Sequence, residues 1–371
     1  MLKVLYLLNH AGKAGTERYV QTLVEQLHDK RIKAYFAYNE EGLLTARLEA
    51  FGIESRRVPM RNRFDLIAAY RLARICRELG IDIIHAQFLR ENYIAMLSRL
   101  FNPKVKVIYT NHFILKNNLA TRISNRLLTP LQAGIIAVCN RGREMMISNG
   151  VSGKKIRVLF NAVDPEYWGN VESSTLRSEF GISEDTFVLL CASRFAYDKG
   201  HRYLIRSLAK LKELAQKKFV CVLAGDGPFL EEIKALSSGL GLDDAVIFTG
   251  FRSDIKNLYD GSDLYINSSS HEALSFLIIE ALASGLPVIA TDMGGNSDII
   301  NETNGCGILV KYEDDEGTAR TINRVMNDPD LLETFKLNAF RTIREKFNLV
   351  KMVQQTYNLY EEFTGLKVRQ E

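Results

Sequence analysis

Short apolar runs with the composition of β-strands alternate with helical segments along almost the whole chain, and this alternation restricts the possible folds more than any other feature. Thirteen runs can be assigned, and a segment such as 65–79 between two of them carries apolar residues at helical spacing. Strands that alternate with helices form parallel sheets covered on both faces. The runs are 3–8, 32–38, 53–58, 81–85, 105–109, 134–138, 156–159, 187–192, 219–224, 246–248, 264–266, 287–290 and 307–310.

The alternation is interrupted at residues 161–185, which are polar and contain Pro165 and the only tryptophan, Trp168. This interruption indicates an interdomain linker. A chain of 371 residues is also too long for one ordinary core. We therefore predict an α/β protein with two Rossmann-like, doubly wound parallel-sheet domains that face a central cleft. The predicted parts are an N-terminal domain at 1–165, a C-terminal domain at 166–350 and a C-terminal helix at 351–371 that returns to the N-terminal domain.

Composition predicts a cytoplasmic globular protein. Hydrophobic residues are 46% and charged residues 25% of the chain, as in ordinary globular domains. No apolar run approaches the ~18 residues that a membrane helix needs, and the first run is broken by Asn9 and His10, as in a strand rather than a secretory signal. The five cysteines lack metal-ligand or redox spacing, so we expect reduced, mostly buried thiols.

Charge is distributed unevenly between the two halves of the chain. Residues 1–170 contain 26 Lys and Arg against 14 Asp and Glu, a balance of +12, and the remainder carries −8. A basic N-terminal half favours an anionic partner for that half. The alternative is that the solvated helix faces of the two halves simply differ.

Two loops that follow predicted strands carry groups suited to anions. The first strand leads into the turn at 12–17, where backbone N–H groups at a helix N-terminus can approach an anion, although a tight strand-to-helix turn would look the same. The first strand of the second series is followed by Arg194 and, five residues later, Lys199. These two cations could converge on a diphosphate, and a pair of exposed loop cations is the alternative.

The segment 271–287 carries the strongest chemical signal. Glu272 follows the run 264–266, and Glu280 lies roughly one and a half turns into the next helix. Carboxylates only accept hydrogen bonds, so each is suited to gripping sugar or ribose hydroxyls. An ionised Glu280 in an otherwise apolar helix is costly without a partner, which argues against a purely structural role. We expect the backbone N–H groups at 274–276 to point at phosphate oxygens.

At this segment the chain resembles the family 4 glycosyltransferases, which are retaining enzymes with the GT-B fold. Their Glu-x7-Glu segment, followed by a small-residue Gly-Leu-Pro stretch, is matched from Glu272 to Pro287. The resemblance covers nearly the whole chain, and its pieces occur in the expected order. The other matching residues are Gly15 with Glu17, His112 in Thr110-Asn111-His112, Asn161 to Asp164, Arg194, Lys199, Gly225 to Pro228, and Gly294-Gly295.

The chain departs from the family pattern at three places. Ala14 replaces the first glycine of the N-terminal Gly-Gly pair, and Ala162 replaces another glycine. The family's Glu-Gly-Phe-Gly is Glu272-Ala273-Leu274-Ser275 in this chain. Side chains at 273 and 275 narrow the loop that faces the donor sugar. These departures affect the identity of that sugar more than the reaction, and Ser275 could add a hydroxyl contact to phosphate.

The resemblance implies a retaining transfer of a sugar from a nucleotide-sugar, with UDP-sugar favoured, to a hydroxyl of a glycan or lipid-linked acceptor in cell-envelope or exopolysaccharide synthesis. The N-terminal domain would bind the acceptor and the C-terminal domain the donor. No metal or other cofactor is implied, because fixed cations and helix N-termini can neutralise the leaving group. The implied catalytic residues are His112, Arg194, Lys199 and Glu272, and the implied donor-binding residues are Gly15, Arg252, Leu274, Ser275 and Glu280.

Each implied role is specific. Glu280 would hold the ribose hydroxyls, and Glu272 with His112 would orient the donor sugar. Arg194, Lys199 and the backbone at 274–275 would stabilise the departing diphosphate. Phe251 and Arg252, which follow Gly250, are candidates for contacts with the nucleotide base.

Two alternatives remain on the sequence alone: a nucleotide-sugar 2-epimerase with the same fold, and a nucleotide-sugar-binding protein without catalysis. Taken alone, His112 would more often be structural, and His85 at the end of a strand favours a core role. Asp328 and Asp330 resemble the metal-binding Asp-x-Asp of another glycosyltransferase class. Because Asp followed by Pro is a normal helix start, we reject a metal site there.

The basic N-terminal half also predicts a location. Two segments mix cations with apolar residues: one includes Arg61, Arg63 and Phe64, and the other includes Arg122, Ile123 and Arg126. Such segments can lie in a lipid headgroup layer without spanning it. We expect the N-terminal domain to dock on the anionic inner face of a membrane or on a lipid-linked anionic acceptor, and we expect no nucleic-acid partner. The alternative is solvated helix faces and a soluble acceptor.

Overall fold

The computed structural model of the protein describes residues 1–12, 14–170 and 173–365. Lys13 of the predicted anion-binding turn and the last six residues of the predicted C-terminal helix lie outside these ranges. The chain divides into two compact units. Unit 1 comprises Met1–Asn161 with Val350–Glu371, and unit 2 comprises Ala162–Leu349.

Unit 1 is built on a seven-stranded sheet in which every neighbouring pair is parallel, in the order β3-β2-β1-β4-β5-β6-β7. Its central strands are apolar on both faces, as parallel strands between two helical layers must be. Tyr6, for example, is completely buried in β1. The strands are β1 (Leu2–His10), β2 (Ile32–Glu40), β3 (Ser55–Arg57), β4 (Ile83–Ala86), β5 (Lys106–Asn111), β6 (Gly134–Ala137) and β7 (Ile156–Val158).

Helices connect these strands, and one of them shows how the local sequence sets both ends of a helix. The carboxylate of Asp65 accepts hydrogen bonds from the N–H groups of Ile67 and Ala68, which caps α3 at its start. Gly80 ends the same helix in the left-handed conformation. The helices of this part are α1 (Gly15–Leu27), α2 (Leu43–Ala50), α3 (Leu66–Leu79), α4 (Leu89–Ser98), α5 (Leu119–Leu128) and α6 (Asn140–Ser148).

Unit 2 repeats the architecture with a six-stranded parallel sheet in the order β10-β9-β8-β11-β12-β13. The thirteen predicted strand runs therefore correspond to thirteen strands, with ends shifted by a few residues. The strands are β8 (Phe187–Ala192), β9 (Phe219–Ala224), β10 (Val246–Gly250), β11 (Leu264–Asn267), β12 (Val288–Thr291) and β13 (Gly307–Val310).

Helices also connect the strands of unit 2, and a last helix follows them. The last helix, α16, belongs to unit 1 except for its first residue, and its buried Tyr360 hydroxyl lies 3.1 Å from the Tyr6 hydroxyl and 2.8 Å from His85 Nδ1. The helices are α7 (Pro165–Gly169), α8 (Leu176–Glu179), α9 (His201–Leu214), α10 (Leu230–Gly239), α11 (Ile255–Asp260), α12 (Phe276–Ala283), α13 (Asn296–Ile299), α14 (Asp315–Met326), α15 (Pro329–Lys346) and α16 (Leu349–Thr364).

The segment 161–185 was predicted to be an interdomain linker, but most of it is part of unit 2 and contains two helices. This segment forms α7 and α8 within unit 2. Asp164 caps α7, and Pro165 occupies its first turn. Trp168 is buried and meets the ring of Tyr259 edge-on at 5.8 Å. Although most of the segment is polar, the buried Trp168 ring attaches it to unit 2.

In both sheets the strand order reverses beside the first strand, at β1 and β4 in unit 1 and at β8 and β11 in unit 2. Ligands of open parallel sheets bind outside the carboxyl ends of strands at such a reversal. The loops after β1, β4, β8 and β11 are therefore the places where each unit can build a site. In the described part of the chain, no helix combines the length and the apolar character needed to cross a membrane.

Candidate functional site

In unit 2, the loop after β8 holds the two predicted cations differently. Arg194 is exposed, and its guanidinium forms no hydrogen bond or ion pair with the described residues. Lys199 ends a short 3-10 helix, Tyr197–Lys199, and its side chain is only 20% exposed. Gly200 follows in the left-handed conformation, and a Cβ there would lie 2.0 Å from the Ser268 carbonyl oxygen. This glycine therefore lets the loop after β8 press against the loop after β11.

Glu272 forms an ion pair with Lys199 at this contact. The Lys199 ammonium donates to Glu272 Oε1 at 2.7 Å, and the Ser269 hydroxyl donates to the same oxygen at 3.0 Å. Oε2 of Glu272 forms no hydrogen bond with the described residues. Glu272 thus has one oxygen fixed by the protein and a second oxygen that can accept a hydrogen bond from a ligand hydroxyl.

The glycine pair after β12 holds the backbone of Glu272 in place. Gly294 has φ +56, and a Cβ at this position would lie 1.6 Å from the Glu272 carbonyl oxygen. The next residue, Gly295, donates its N–H to the Ala273 carbonyl at 2.8 Å. No side chain fits between these segments, so Gly294 positions Glu272 through the main chain.

Leu274 and Ser275 lead directly into α12, and both are buried. Ser275 is the N-cap residue of α12, and its hydroxyl oxygen accepts a hydrogen bond from the Ile278 N–H at 3.5 Å. The Ser275 hydroxyl therefore keeps its own proton for donation elsewhere. A helix N-terminus in this position is suited to an anion.

Glu280 is buried in α12, with 1% of its surface exposed. The Tyr259 hydroxyl donates to the Leu277 carbonyl at 3.1 Å, and its oxygen lies 3.5 Å from Glu280 Oε2. The protein itself therefore provides polar contacts for Glu280, and these contacts lower the cost of burying its carboxylate. A change at Glu280 is therefore expected to affect folding as well as any ligand contact.

The structure ties the Arg252 side chain to two carboxylates. Its guanidinium donates to Glu179 Oε2 at 3.0 Å and to Asp254 Oδ1 at 2.8 Å. Hydrogen bonds from Arg252 hold the pKa of Asp254 well below its usual range. Because these partners occupy the guanidinium, a contact with a nucleotide base is left to the main chain at 251–252 or to the Phe251 ring, which is 63% exposed.

In unit 1, His112 follows β5 and contacts Gln87, which follows β4. The Gln87 side-chain amide donates from Nε2 to the His85 carbonyl at 3.2 Å, so the other amide atom, Oε1, faces His112 Nε2 at 3.0 Å. An amide oxygen only accepts, so His112 must donate from Nε2. Burial lowers the pKa of His112 to about 3. His112 is therefore neutral at pH 7, with its remaining nitrogen, Nδ1, as a hydrogen-bond acceptor.

The first helix of unit 1 contributes to the same edge of the sheet. Gly15 is its first residue and is exposed, and Tyr19 one turn later meets the His112 ring edge-on at 5.0 Å. The predicted core role of His85 is confirmed, because its two ring nitrogens lie 2.8 Å from the Tyr360 hydroxyl and 2.7 Å from the Thr110 hydroxyl. His85 is fully buried.

The structure brings Lys199 and Glu272 into contact and places Leu274, Ser275 and Glu280 on the chain segment that follows. His112 and Gly15 lie at the carboxyl edge of the other sheet. Sequence reasoning missed Gln87 and Ser269. Gln87 follows β4 directly and Ser269 is the second residue after β11, both at the edge where ligands bind, and this position was the available signal.

Two further predictions concern metal ligands and thiols. Asp328 caps α15 through a hydrogen bond from the Leu331 N–H to Oδ1 at 2.9 Å, so the predicted helix start is confirmed. All five cysteines are buried thiols that form no disulfide, as expected. Within the described ranges, no three His, Cys, Asp or Glu side chains are arranged to hold a metal ion.

Two Rossmann-like units of this kind define the GT-B class of glycosyltransferases, and comparisons with known proteins agree. The family described as Glycosyltransferase Family 4 matches residues 14–167, and the family described as Glycosyl transferases group 1 matches residues 172–342. The chain is 31% identical over 297 residues to an uncharacterized glycosyltransferase of Methanocaldococcus jannaschii, covering 78% of this chain and 71% of that protein.

Two other relatives are informative. One is the Campylobacter jejuni N-acetylgalactosamine-N,N'-diacetylbacillosaminyl-diphospho-undecaprenol 4-alpha-N-acetylgalactosaminyltransferase, 27% identical and covering 77% of this chain and 78% of that protein. The other is the structure of Anabaena HepE in complex with UDP, with a TM-score of 0.85, 23% identity, and coverage of 97% of this chain and 100% of that one. The chain belongs to the family 4 glycosyltransferases, and its fold is GT-B.

Proposed function

We propose that the protein is a retaining, metal-independent glycosyltransferase that moves a sugar from a UDP-sugar to a hydroxyl of a glycan or lipid-linked acceptor in cell-envelope or exopolysaccharide synthesis. One observation carries the proposal: Lys199 and Glu272 meet at 2.7 Å beside the N-terminus of α12. That arrangement offers an ammonium for a leaving phosphate and a carboxylate for sugar hydroxyls within one loop contact. The retained configuration rests on the family resemblance.

The charges in unit 2 support a reaction without a metal. In the transition state the bond between the anomeric carbon and the phosphate oxygen breaks, and the diphosphate takes the electron pair. Lys199, Arg194 and the start of α12 would stabilise this negative charge as it grows, which is the part a metal plays in other enzymes. The acceptor oxygen would attack from the same face, and its proton would pass to the departing phosphate.

Glu272 and His112 would orient the donor sugar, since each keeps an acceptor atom for a hydroxyl: Oε2 of Glu272 and Nδ1 of His112. Glu280 would hold the ribose, and the main chain at 251–252 would contact the base. Unit 1 would bind the acceptor at its carboxyl edge, and Gly15 at the same edge would contribute to donor binding. UDP is the favoured nucleotide because the Anabaena relative with the same fold was solved with UDP.

The lipid-linked acceptor and the location are proposed on two grounds. The Campylobacter relative carries diphospho-undecaprenol in its name. Residues 1–170 of this chain carry a balance of +12, which suits a phosphate-bearing acceptor or an anionic membrane. We therefore propose that the protein works as a peripheral protein at the inner face of the membrane.

Calorimetric titration with UDP, GDP and ADP tests the proposal. We expect UDP to bind most tightly, Glu280→Gln to weaken UDP binding, and Glu272→Gln to slow sugar transfer while it leaves UDP affinity nearly unchanged. Thermal unfolding of each variant provides the folding control, because Glu280 is buried. Equal loss of UDP affinity in the two variants would contradict the separate roles, and tighter binding of GDP or ADP would contradict the choice of nucleotide.

A further inference from the structure

A cavity in unit 1 lies directly beside the loop that carries His112. Its volume is about 90 Å³, and residues of α4, β5, α5, β6 and α6 line it. Asn111, the residue before His112, is part of the wall. Phe113 and Leu115 also line the cavity and are 54% and 59% exposed, so the cavity reaches the surface at this loop.

The wall of this cavity is uncharged and rich in amides. The described residues that line it include no Asp, Glu, Lys, Arg or His. An ionised ligand would lose its water here without gaining a counter-charge, so the cavity suits a neutral group. The amide side chains of the wall are those of Asn92, Asn111, Asn117, Asn125, Gln132 and Asn149. Another part of the wall is apolar and consists of Met96, Ile135, Met146 and Val151.

Some of these amides are fully used within the protein and form a fixed wall. Asn125 Oδ1 accepts from the Tyr93 hydroxyl at 2.6 Å, and Asn125 Nδ2 donates to the Asn149 carbonyl at 2.9 Å. The side chain of Asn149 in turn donates to the Leu115 carbonyl at 2.7 Å. These contacts hold the polar side of α5 against the cavity.

Asn92 and Gln132 differ, because their contact leaves one group of each amide unpaired. Both residues are 3% exposed, and Gln132 Nε2 donates to Asn92 Oδ1 at 2.7 Å. Asn92 Nδ2 and Gln132 Oε1 form no hydrogen bond with the described residues. If both amides are flipped, the pair still leaves one NH₂ and one C=O group. Buried polar groups are nearly always hydrogen-bonded, so this pair calls for a partner in the cavity that both donates and accepts.

We propose that this cavity binds the acetamido group of an N-acetylated sugar acceptor, an inference that rests on the proposed function because there unit 1 binds the acceptor. The N–H and C=O of the acetamido group would pair with the two groups that Asn92 and Gln132 leave unpaired. Its methyl group would contact the apolar part of the wall. A hydroxyl group has no apolar part of this kind and would leave that wall without a partner.

The size and position of the cavity agree with this ligand. Its volume of about 90 Å³ exceeds the roughly 10–15 Å³ that one water needs and is below the ~150 Å³ of a cavity that holds benzene. Leu89 and Asn92, in the first turns of α4, also line it, and α4 begins shortly after Gln87. The cavity therefore adjoins the carboxyl edge at which the acceptor is proposed to bind.

NMR of the full chain with ¹³C-labelled methionine methyl groups tests the proposal directly. Met96 and Met146 line the cavity, whereas Met326 and Met352 lie elsewhere and serve as internal controls. Titration with N-methylacetamide should shift the signals of Met96 and Met146 and leave the two control signals unchanged. Methyl acetate has nearly the same shape but no N–H, so it should bind roughly fivefold more weakly for the loss of one hydrogen bond.

The variant Asn92→Leu/Gln132→Met removes both amides of the pair. Apolar side chains of similar size replace both partners, so no buried group loses its partner and folding should be retained. N-methylacetamide should bind this variant roughly 30-fold more weakly, because two neutral hydrogen bonds are lost. The matched control is Gln354→Met/Asn358→Leu, which removes a Gln–Asn contact of 2.7 Å on the exposed side of α16 and should leave binding unchanged. Thermal unfolding of both variants checks their folding.

The same signals test the sugar. In the presence of UDP, the methyl glycoside of N-acetylglucosamine or of N-acetylgalactosamine should shift Met96 and Met146, and the methyl glycosides of glucose and galactose should not. UDP titration of the variant Asn92→Leu/Gln132→Met should give wild-type affinity. A wild-type protein that does not bind UDP would contradict the proposed function, whereas the titration with N-methylacetamide reports on the cavity independently.

Three results would overturn the inference. Unchanged Met96 and Met146 signals with N-methylacetamide would show that the cavity holds only water. Equal binding of N-methylacetamide by wild type and by Asn92→Leu/Gln132→Met would remove the amide pair from the site. Binding of N-methylacetamide without binding of either N-acetylated glycoside would exclude the sugar acceptor as the ligand.

Discussion

At the scale of single residues, the candidate site depends on which atoms are already occupied and which remain for a ligand. The Lys199 ammonium uses one of its N–H groups on Glu272 at 2.7 Å and has others for a ligand, and the Arg194 guanidinium forms no hydrogen bond or ion pair with the described residues. Arg252 shows the opposite case, because Glu179 and Asp254 engage its guanidinium. Residue type alone could not distinguish these three cations, since each follows a strand by a few positions.

Removing either cation of the proposed diphosphate contact should slow the reaction. Lys199→Ala and Arg194→Ala are each expected to reduce kcat/KM roughly 10- to 150-fold, because a charged hydrogen bond contributes about 1.5–3 kcal/mol. Steady-state kinetics with a UDP-sugar measures this, and Lys234→Ala, on the exposed surface of α10, is the control. Wild-type kcat/KM in both site variants would remove these cations from the mechanism.

Gln87 should control the protonation of His112 and therefore the pH dependence of the reaction. The pKa of His112 is about 3, so wild-type kcat/KM should show no loss from this residue between pH 5 and 8. In Gln87→Glu, a carboxylate would accept from His112 Nε2 and stabilise the protonated ring, which raises the pKa. Protonation then removes the acceptor at Nδ1, so activity should fall as the pH decreases through the raised pKa.

The pH profile of kcat/KM and NMR titration of the His112 ring check this prediction together. Gln87→Leu is the matched control, because it removes the contact without adding a charge and should lower kcat without a new acidic limb. If the ring titrates at a raised pKa and the pH profile of Gln87→Glu still superimposes on that of wild type, His112 does not take part in the reaction.

At the scale of secondary-structure elements, glycines at loop contacts determine where the charged residues lie. The sequence places Glu272 after β11 and the glycine pair after β12, but nothing in the sequence indicates that they touch. The contact exists because β11 and β12 are neighbours in the sheet and their loops meet at one edge. A Cβ at Gly294 would lie 1.6 Å from the Glu272 carbonyl oxygen.

Gly294→Ala should therefore displace Glu272 and reduce kcat/KM by much more than the change in thermal stability would suggest. Gly241→Ala is a close control: Gly241 has φ +69, also in the left-handed region, but a Cβ at this position would meet no atom within 4 Å. Gly241→Ala should lose about 1 kcal/mol of folding stability from backbone strain, and Gly294→Ala should lose more because its Cβ also meets the main chain of Glu272. Kinetics and thermal unfolding of the pair check this, and equal activity in the two variants would contradict the positioning role of Gly294.

At this scale, the sequence predicted the positions of the strands well. It did not predict the structure of the segment 161–185 or which face of α5 is buried. Apolar runs between helical segments located the thirteen strands of the described residues, because buried parallel strands are apolar on both faces. The segment 161–185 was misread because its polar composition outweighed one buried side chain, Trp168. Helix α5 buries the polar Thr121 and Asn125 and exposes the apolar Leu119, Ile123 and Leu127. The sequence could not predict this, because periodicity identifies two faces of a helix but not which one the protein buries.

At the scale of the whole molecule, each of the two units carries candidate groups at the carboxyl edge of its own sheet. Unit 2 contains the Lys199–Glu272 pair, and unit 1 contains His112. The family was recognisable from the order of short motifs along the chain. Atomic details such as the Gln87 contact depend on strand order in space, which the sequence does not state.

The reaction that we propose for the whole molecule is a metal-independent transfer from a UDP-sugar with retention at the anomeric carbon. Proton NMR can follow the reaction of a UDP-α-sugar with a hydroxyl acceptor in the presence of EDTA. We expect the first product formed to have the α configuration, read from its anomeric coupling, and we expect EDTA not to slow its formation. A β-linked first product, or a reaction that stops in EDTA and resumes with Mn²⁺ or Mg²⁺, would contradict this mechanism.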